Sequence, residues 1–328
     1  MNISVVVPTY KRLHDLRRCL SALDQQTSLP YEVIVVARSS DFETLTYIHQ
    51  WTAQKASYSR KLWIVTLPGQ VHALVQGVEA ATGDVVAFTD DDSAPSSNWL
   101  RNMAVHYQNP RVGGVGGRDI LRNHPVLPLQ RTVGKLTWYG KLIGNHHLGE
   151  GPPREVDVLK GVNMSFRTQL VQFSPFLRGT GGPETHNEVG VCLRVKRLGY
   201  ALIYDPEVVV NHYAVARVDS EQRTQLSTRL VRHSAFNMQM SLLTWTPWHQ
   251  KLSRLAFATL VGDKAYPGLA RLGIAICRRE IRVIKSFAPA QLGFLIAFMY
   301  WLFRAGSDNK RRASETPTPR HTVTTEDV

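Results

Sequence analysis

Three carboxylates in a row, Asp90, Asp91 and Asp92, close the apolar run of residues 85–89 and lead into Ser93-Ala94-Pro95. Like charges on adjacent positions repel, so a strand end tolerates them best when a cation or solvent neutralises them. Taken alone, the triplet reads as a solvated acidic turn ahead of a helix beginning near Ser97. Its place in the chain decides between solvent and cation.

Four apolar runs precede or contain that place. Residues 3–7 end in Pro8-Thr9-Tyr10, residues 31–37 form a second strand, residues 62–67 a third and residues 85–89 a fourth. Between them, Leu13, Leu16, Leu20 and Leu23 recur at helical spacing, as do Phe42, Leu45 and Ile48, and then Val71, Leu74, Val78 and Ala81, with Gly83 closing the last helix. Alternating apolar strands and helices predict an α/β fold with a mostly parallel sheet covered on both faces. In such a sheet ligands bind beyond the carboxyl ends of the strands. The loops starting at Pro8, Arg38, Pro68 and Asp90 share that edge. An acidic cluster there is placed to hold a hard divalent cation against a substrate phosphate.

Several nucleotide and metal sites are excluded. No G-x-G-x-x-G follows the first strand, and no G-x-x-x-x-G-K-[ST] occurs. The triplet lacks the glycine of an EF-hand loop and runs into Pro95. The glycines of residues 113–117 predict a Gly-rich strand with close backbone approach.

Four blocks together carry a resemblance. Ser4-Val5-Val6-Val7-Pro8-Thr9-Tyr10-Lys11-Arg12 comes first, then Gly83-Asp84-Val85-Val86-Ala87-Phe88-Thr89-Asp90-Asp91-Asp92 with Pro95 and Trp99-Leu100. Gly161-Val162-Asn163-Met164-Ser165-Phe166-Arg167 follows, and then residues 187–212 with Asn187-Glu188, Gly199-Tyr200 and Asn211-His212. In this order, over roughly residues 3–214, the chain resembles the family 2 glycosyltransferases.

The resemblance implies a GT-A fold, Rossmann-like, that transfers sugar from a nucleotide-sugar donor with inversion. It assigns Asp90 and Asp92 to a D-x-D pair holding Mg²⁺ or Mn²⁺ against the donor diphosphate, with Asp91 as a secondary donor contact. Pro8, Thr9, Tyr10 and Arg12 match the nucleotide pocket, where the Tyr10 ring can pack on a base. Glu188 matches the catalytic base, which takes the acceptor hydroxyl proton as that oxygen attacks the anomeric carbon; Glu184 is the fallback. His212 matches a histidine that binds metal or phosphate, and Asn163 and Met164 a sugar-site floor. Each has a plain structural reading beside it: a strand-ending turn for Thr9, a dipole-favoured helix-terminal acid for Glu188, a packed histidine for His212, a turn cap for Asn163.

Two departures touch donor identity. Where the family commonly carries an acid after the second strand, this chain has Ala37 and Arg38, and the next acid is Asp41. Where an Asn is frequent before Gly83, it has Val75. These departures leave open a GT-A-like protein that binds nucleotide-sugar without transferring it.

The chain has 328 residues and a net charge of +13. Residues 217–328 hold 17 Lys+Arg against 8 Asp+Glu, so most of the excess is there. Nucleic acid and an anionic membrane are the partners such charge suggests, and the lack of a nucleic-acid module sets the first aside. Basic residues bordering Trp245, Trp248 and apolar patches suit a membrane interface. Residues 292–303 are uncharged but short of a bilayer span, which predicts an interfacial or re-entrant helix, with a core helix as the alternative. The expected organisation is a catalytic domain over 1–216, a membrane-associating helical section over 217–306 and a disordered tail over 307–328. Three scattered cysteines predict reduced thiols, and the opening run reads as a buried strand rather than a leader. The expected setting is the cytoplasmic face of the cell membrane, with a lipid-linked or glycan acceptor.

Overall fold

The computed structural model describes residues 1–122, 125, 127–177, 185–213 and 227–312. The expected fallback base Glu184, the domain boundary near 216 and the tail from 313 onward lie outside the described residues.

The first half alternates as the periodicity predicts: β1 (Ile3–Thr9), α1 (Leu13–Asp24), β2 (Glu32–Arg38), α2 (Phe42–Ala53), β3 (Ser59–Val65), α3 (Gln70–Ala80) and β4 (Val85–Phe88). Then come β5 (Ser93–Pro95), α4 (Trp99–His106), β6 (Val112–Leu121), β7 (Lys135–Leu136), β8 (Leu142–Ile143), β9 (Arg154–Val156) and β10 (Met164–Arg167). Helix α5 (Asn187–Arg197) and the long β11 (Ala201–His212) finish the sheet. Its order is β3-β2-β1-β4-β10-β6-β11-β5, with β9 also on β11. Strands β1 to β4 run parallel, β10 is antiparallel to β4 and β6, and β11 is parallel to β6.

Alternation within the strands feeds two cores. Val5, Val7, Val33 and Val35 pack with α1, α2 and α4, while Val6, Ile34 and Val36 pack with α3, α5 and beyond. Both faces of the parallel part are therefore dry, which is why those strands are continuously apolar. The third strand departs from expectation. It begins three residues earlier, at Ser59, and leaves Trp63 and Ile64 exposed, because it is the edge strand paired only to β2. The glycines of β6 meet expectation: a Cβ on Gly117 would sit 1.9 Å from the Val208 carbonyl oxygen, where β11 shifts register between Asp205 and Val209.

The C-terminal section is helical: α6 (Thr228–Trp245), α7 (Trp248–Ala256), a π-helical turn over Phe257–Val261, α8 (Leu269–Cys277) and α9 (Ile281–Arg312). Helix α6 is part of the core under the sheet, since Met238 and Leu242 join the cluster that contains Val6 and Phe166. Helix α9 lies along α6 through Ala235, Ala290 and Phe294. Gly293 permits that approach, for a Cβ there would lie 2.3 Å from the Arg232 carbonyl oxygen.

The apolar helix is longer than the uncharged run suggested. It starts at Ile281, and Ile281–Phe303 gives 23 residues long and apolar enough to cross a membrane by length and composition. One face packs on α6; the other exposes Leu295, Met299 and Phe303. It also continues to Arg312, beyond the boundary expected at 306. The thiols are free, Cys19 and Cys192 buried and Cys277 exposed.

Candidate active site

The acidic triplet caps β4 at the carboxyl edge. Thr89, buried, shares its hydroxyl with Ser93 Oγ at 2.6 Å and with the Val162 carbonyl at 3.1 Å. Ser93 donates to the Asp90 carbonyl from its backbone N–H at 3.2 Å and its hydroxyl at 2.6 Å, which folds the three acids into a tight turn. Strand β5 then pairs antiparallel with the end of β11, setting His212 opposite Ser93. That register brings His212 Nε2 to 3.3 Å from Asp92 Oδ1, and Tyr213 N–H donates to the Asp92 carbonyl at 2.9 Å. One ligand atom each from Asp90, Asp92 and His212 fall within 4.8 Å of one another.

The donor set suits a divalent cation. Both ring nitrogens of buried His212 lack a hydrogen bond of normal geometry, their nearest acceptors being Asp92 at 3.3 Å and Asp119 Oδ2 at 3.8 Å. Burial opposes charge on this imidazole, but the carboxylates of Asp119 and Asp92 outweigh it and raise its pKa to about 9. Two carboxylate oxygens and an imidazole nitrogen form a set that Mn²⁺ accepts more readily than all-oxygen-seeking Mg²⁺.

Asp91 turns the other way. One carboxylate oxygen accepts from Thr9 Oγ1 at 2.9 Å and the other from Arg12 Nη1 at 3.0 Å; Arg12 also stands 3.5 Å from Asp92 Oδ2. Burial pushes the Asp91 carboxyl up to about 7, against the pull of Arg12 and with the push of Asp92 and Asp90. The middle acid thus ties the β1 turn to the β4 turn.

The structure brings Tyr10 together with the residue that departs from the family pattern. The Arg38 guanidinium lies 4.3 Å from the Tyr10 ring centroid, and Lys11 Nζ 5.3 Å. Ser40, Arg38 and Lys11 lower the Tyr10 pKa, with burial opposing. Pro8 pairs in register with Val36, fixing this turn to β2. Asp41 is 4% exposed and accepts from the Lys11 N–H and, at 3.4 Å, from Thr44 N–H. It caps α2 and fastens the β1 turn, so its carboxylate faces protein. Val75 is buried against the same core as Val6.

Asn163 is fully buried. Its Oδ1 accepts from Trp99 Nε1 at 2.9 Å, and its Nδ2 donates to the carbonyls of Val208 at 2.8 Å and Arg118 at 3.3 Å. The side chain brackets β6, β11 and α4; any floor it offers a ligand comes from its backbone.

Glu188 stands in the first turn of α5, half-buried. Burial raises its carboxyl to about 7; its own backbone N–H and Lys160 pull downward, and Asp90 pushes upward. The base candidate and the metal candidates therefore share one electrostatic neighbourhood. Sequence reasoning missed two members of it, Lys160 and Asp119. Lys160 Nζ pairs with Asp119, whose carboxylate is fully buried and reaches toward His212 Nδ1. A carboxylate behind a metal-binding imidazole orients the ring. Each is a lone charged residue without a motif; only the apolar, Gly-rich context of Asp119 in β6 hinted that its charge needed a partner.

A half-parallel α/β sheet with an acidic turn at its carboxyl edge, an aromatic turn beside it and a carboxylate on a following helix defines a glycosyltransferase catalytic domain of GT-A fold. Residues 4–151 match the model of glycosyl transferase family 2. Among curated relatives, the glucosyl-dolichyl phosphate glucuronosyltransferase of Haloferax volcanii is 26% identical over 238 residues, 65% of this chain and 69% of that protein. Glycosyltransferase AglE of the same organism is 29% identical over 119 residues, 35% of this chain; the match spans only 38% of AglE. The mannosyltransferase PcManGT of Pyrobaculum calidifontis, solved with GDP-Man and Mn²⁺, superposes with a TM-score of 0.57 at 20% identity, covering 92% of this chain and 87% of its own. TarS 1-349 of S. aureus, solved with UDP-GlcNAc, gives 0.56 at 16% identity over 93% and 92%. At these identities the structural likeness speaks for the fold.

Proposed function

We propose that the protein is a metal-dependent, inverting glycosyltransferase that moves a sugar from a nucleotide-sugar donor to a lipid-linked or polysaccharide acceptor at the cytosolic face of a membrane. The observation that carries this reading is the convergence of Asp90, Asp92 and His212, with Glu188 near enough for Asp90 to act on its charge. Asp90, Asp92 and His212 hold the cation. When bound, it offsets the negative charge that grows on the departing nucleoside diphosphate. Tyr10 and Arg38 offer a ring and a planar cation to the donor's base, and Asp41, Asp91, Thr9 and Arg12 hold that turn in place. Glu188, as carboxylate, accepts the proton of the acceptor hydroxyl, whose oxygen forms the new bond to the anomeric carbon as the bond to the diphosphate oxygen breaks. One displacement on the opposite face inverts that carbon.

The acceptor side rests on different support. The Haloferax relative is named for action on a dolichyl phosphate, and this chain exposes an apolar helical face in a section with a basic excess. Peripheral or monotopic attachment brings that face to a leaflet and the site to a lipid-borne acceptor.

The test is a thermal-shift panel of UDP- and GDP-sugars with and without Mn²⁺. The expected result is a Mn²⁺-dependent rise in melting temperature for one donor, abolished by Asp92→Ala. Binding that ignores Mn²⁺ would overturn the metal assignment. A donor that binds yet never releases nucleoside diphosphate, even with membrane extract as acceptor, would make the protein a nucleotide-sugar binder.

A further inference from the structure

Among the described residues, the side-chain hydrogen bonds at the turn that presents Glu188 run from Thr185 and His186 to the C-terminal section. Helix α5 is preceded by His186, a non-glycine residue in the left-handed region at φ 65°, ψ 22°. That backbone state is uncommon for a residue with a Cβ and persists where the surroundings enforce it. His186 gives the helix end no side-chain cap. Its Nε2 instead lies 2.6 Å from the Tyr266 hydroxyl, and that hydroxyl 2.6 Å from Ser234 Oγ on α6. Thr185, just before His186, donates its hydroxyl to Ser234 Oγ at 2.6 Å, and its carbonyl accepts from Asn237 Nδ2 at 3.0 Å.

Thr185 donates to Ser234, and with His186 protonated on Nδ1 the chain can run on in one direction, Ser234 donating to Tyr266 and Tyr266 to the lone pair on His186 Nε2. This requires a neutral ring, and burial lowers the His186 pKa to about 4 although Asp263 opposes the shift. Tyr266 is itself anchored. Its backbone N–H donates to Asp263 Oδ1 at 2.9 Å, its ring packs edge-on to Phe294 of α9 with centroids 6.0 Å apart, and Gln291 of α9 donates to the neighbouring Pro267 carbonyl at 2.8 Å.

We propose that Tyr266 is a positioning residue for Glu188: from a loop clamped by the apolar helix α9, its hydroxyl fixes the His186 turn and with it the aim of the base two residues on. The inference rests on the reading of Glu188 as the base. It makes the apolar helices part of the catalytic apparatus as well as an attachment surface. The charged groups that face this region are Lys160 and Asp90 around Glu188, Asp263 around His186, and Asp263 and Glu188 itself around Tyr266.

The experiment uses the full chain with saturating Mn²⁺ and follows release of UDP or GDP from UDP-glucose, UDP-glucuronate, UDP-N-acetylglucosamine and GDP-mannose, together with hydrogen exchange of the amides of residues 186–191. Tyr266→Phe keeps the ring and removes the hydroxyl. Its kcat is expected to fall about tenfold or more, because small misplacements of a reacting group cost that much. Donor KM is expected to stay within about twofold, since the donor contacts are elsewhere. The rising limb of the pH–rate profile should move, and exchange at 186–191 should quicken. His186→Asn, which tolerates the left-handed turn, should behave alike, and the double variant should be no worse than the poorer single one. Ser234→Ala replaces Tyr266→Phe if the latter fails to fold. Wild-type kcat and pH profile in a folded variant would overturn the proposal, as would unchanged exchange at 186–191, which decides the matter even if none of these donors is turned over. Failure of the underlying reading is separate: Glu188→Gln would then keep full hydrolysis.

Discussion

The imidazole of His212 is the residue where charge and chemistry are most tightly linked. In the metal-free protein its pKa of about 9 means it is protonated at neutral pH, serving as the cation between Asp92 and Asp119. A pKa raised from the ordinary value near 6.5 gives stability that is complete below pH 6.5 and is lost as pH climbs through 9. A cation must displace that proton. Below pH 9 the affinity for Mn²⁺ should therefore tighten by up to about tenfold per pH unit, measured by titration calorimetry in buffers of different ionisation heat. His212→Asn should flatten that dependence and remove the alkaline fall in metal-free melting temperature. As the proposed base, Glu188 has the opposite sign in function. A carboxyl raised to about 7 is the competent base only above that pH, so at saturating Mn²⁺ the rate should rise with pH and level off. Because the cation also offsets the push of Asp90, the inflection should sit at or below 7. Glu188→Gln should keep donor binding and lose about 10²–10⁴-fold in transfer rate.

At the scale of elements, β1, β2 and β4 were legible because both their faces are buried, and the helices between the strands because they repeat apolar residues at helical spacing. The acids at the end of β4 followed from the same logic, since the carboxyl edge of a parallel sheet is where ligands go. Their partner was not legible in that way. His212 meets Asp92 through the three-residue β5, whose pairing with β11 no periodicity announces, and only the family resemblance pointed to it. Asp119, Lys160 and the Tyr266–His186 link are long-range charge and hydroxyl contacts carried by residues with no local pattern. The apolar helix is longer than residues 292–303 because Pro289 and Gln291 interrupt the apolar run without ending the helix, which starts at Ile281. The two faces of α9 should therefore respond differently. Phe294 is 6% exposed, and Phe294→Ala should destabilise the protein by about 3–5 kcal/mol in chemical denaturation. Leu295→Glu and Phe303→Glu lie on the exposed face and should change stability by no more than about 0.5 kcal/mol.

For the molecule as a whole, the exposed face of α9, Trp248 and Leu252 on α7, and the basic excess of residues 217–328 combine into one prediction about membranes. Attraction of Lys and Arg to anionic headgroups contributes about 1 kcal/mol per residue near the surface and decays within a Debye length, whereas apolar insertion is insensitive to salt. If both act, the protein should sediment with phosphatidylglycerol vesicles at low salt and less with phosphatidylcholine. Added salt should reduce the binding without abolishing it. Leu295→Glu with Phe303→Glu should remove the salt-resistant part and leave donor binding intact. Removing residues 287 onward is a poorer test, because it strips Ala290 and Phe294 from α6, and α6 carries Met238 and Leu242 into the core under the sheet. Such a truncation should lose donor binding along with vesicle binding, and a truncated protein that still binds donor at full strength would show that α9 only attaches the enzyme and takes no part in building it.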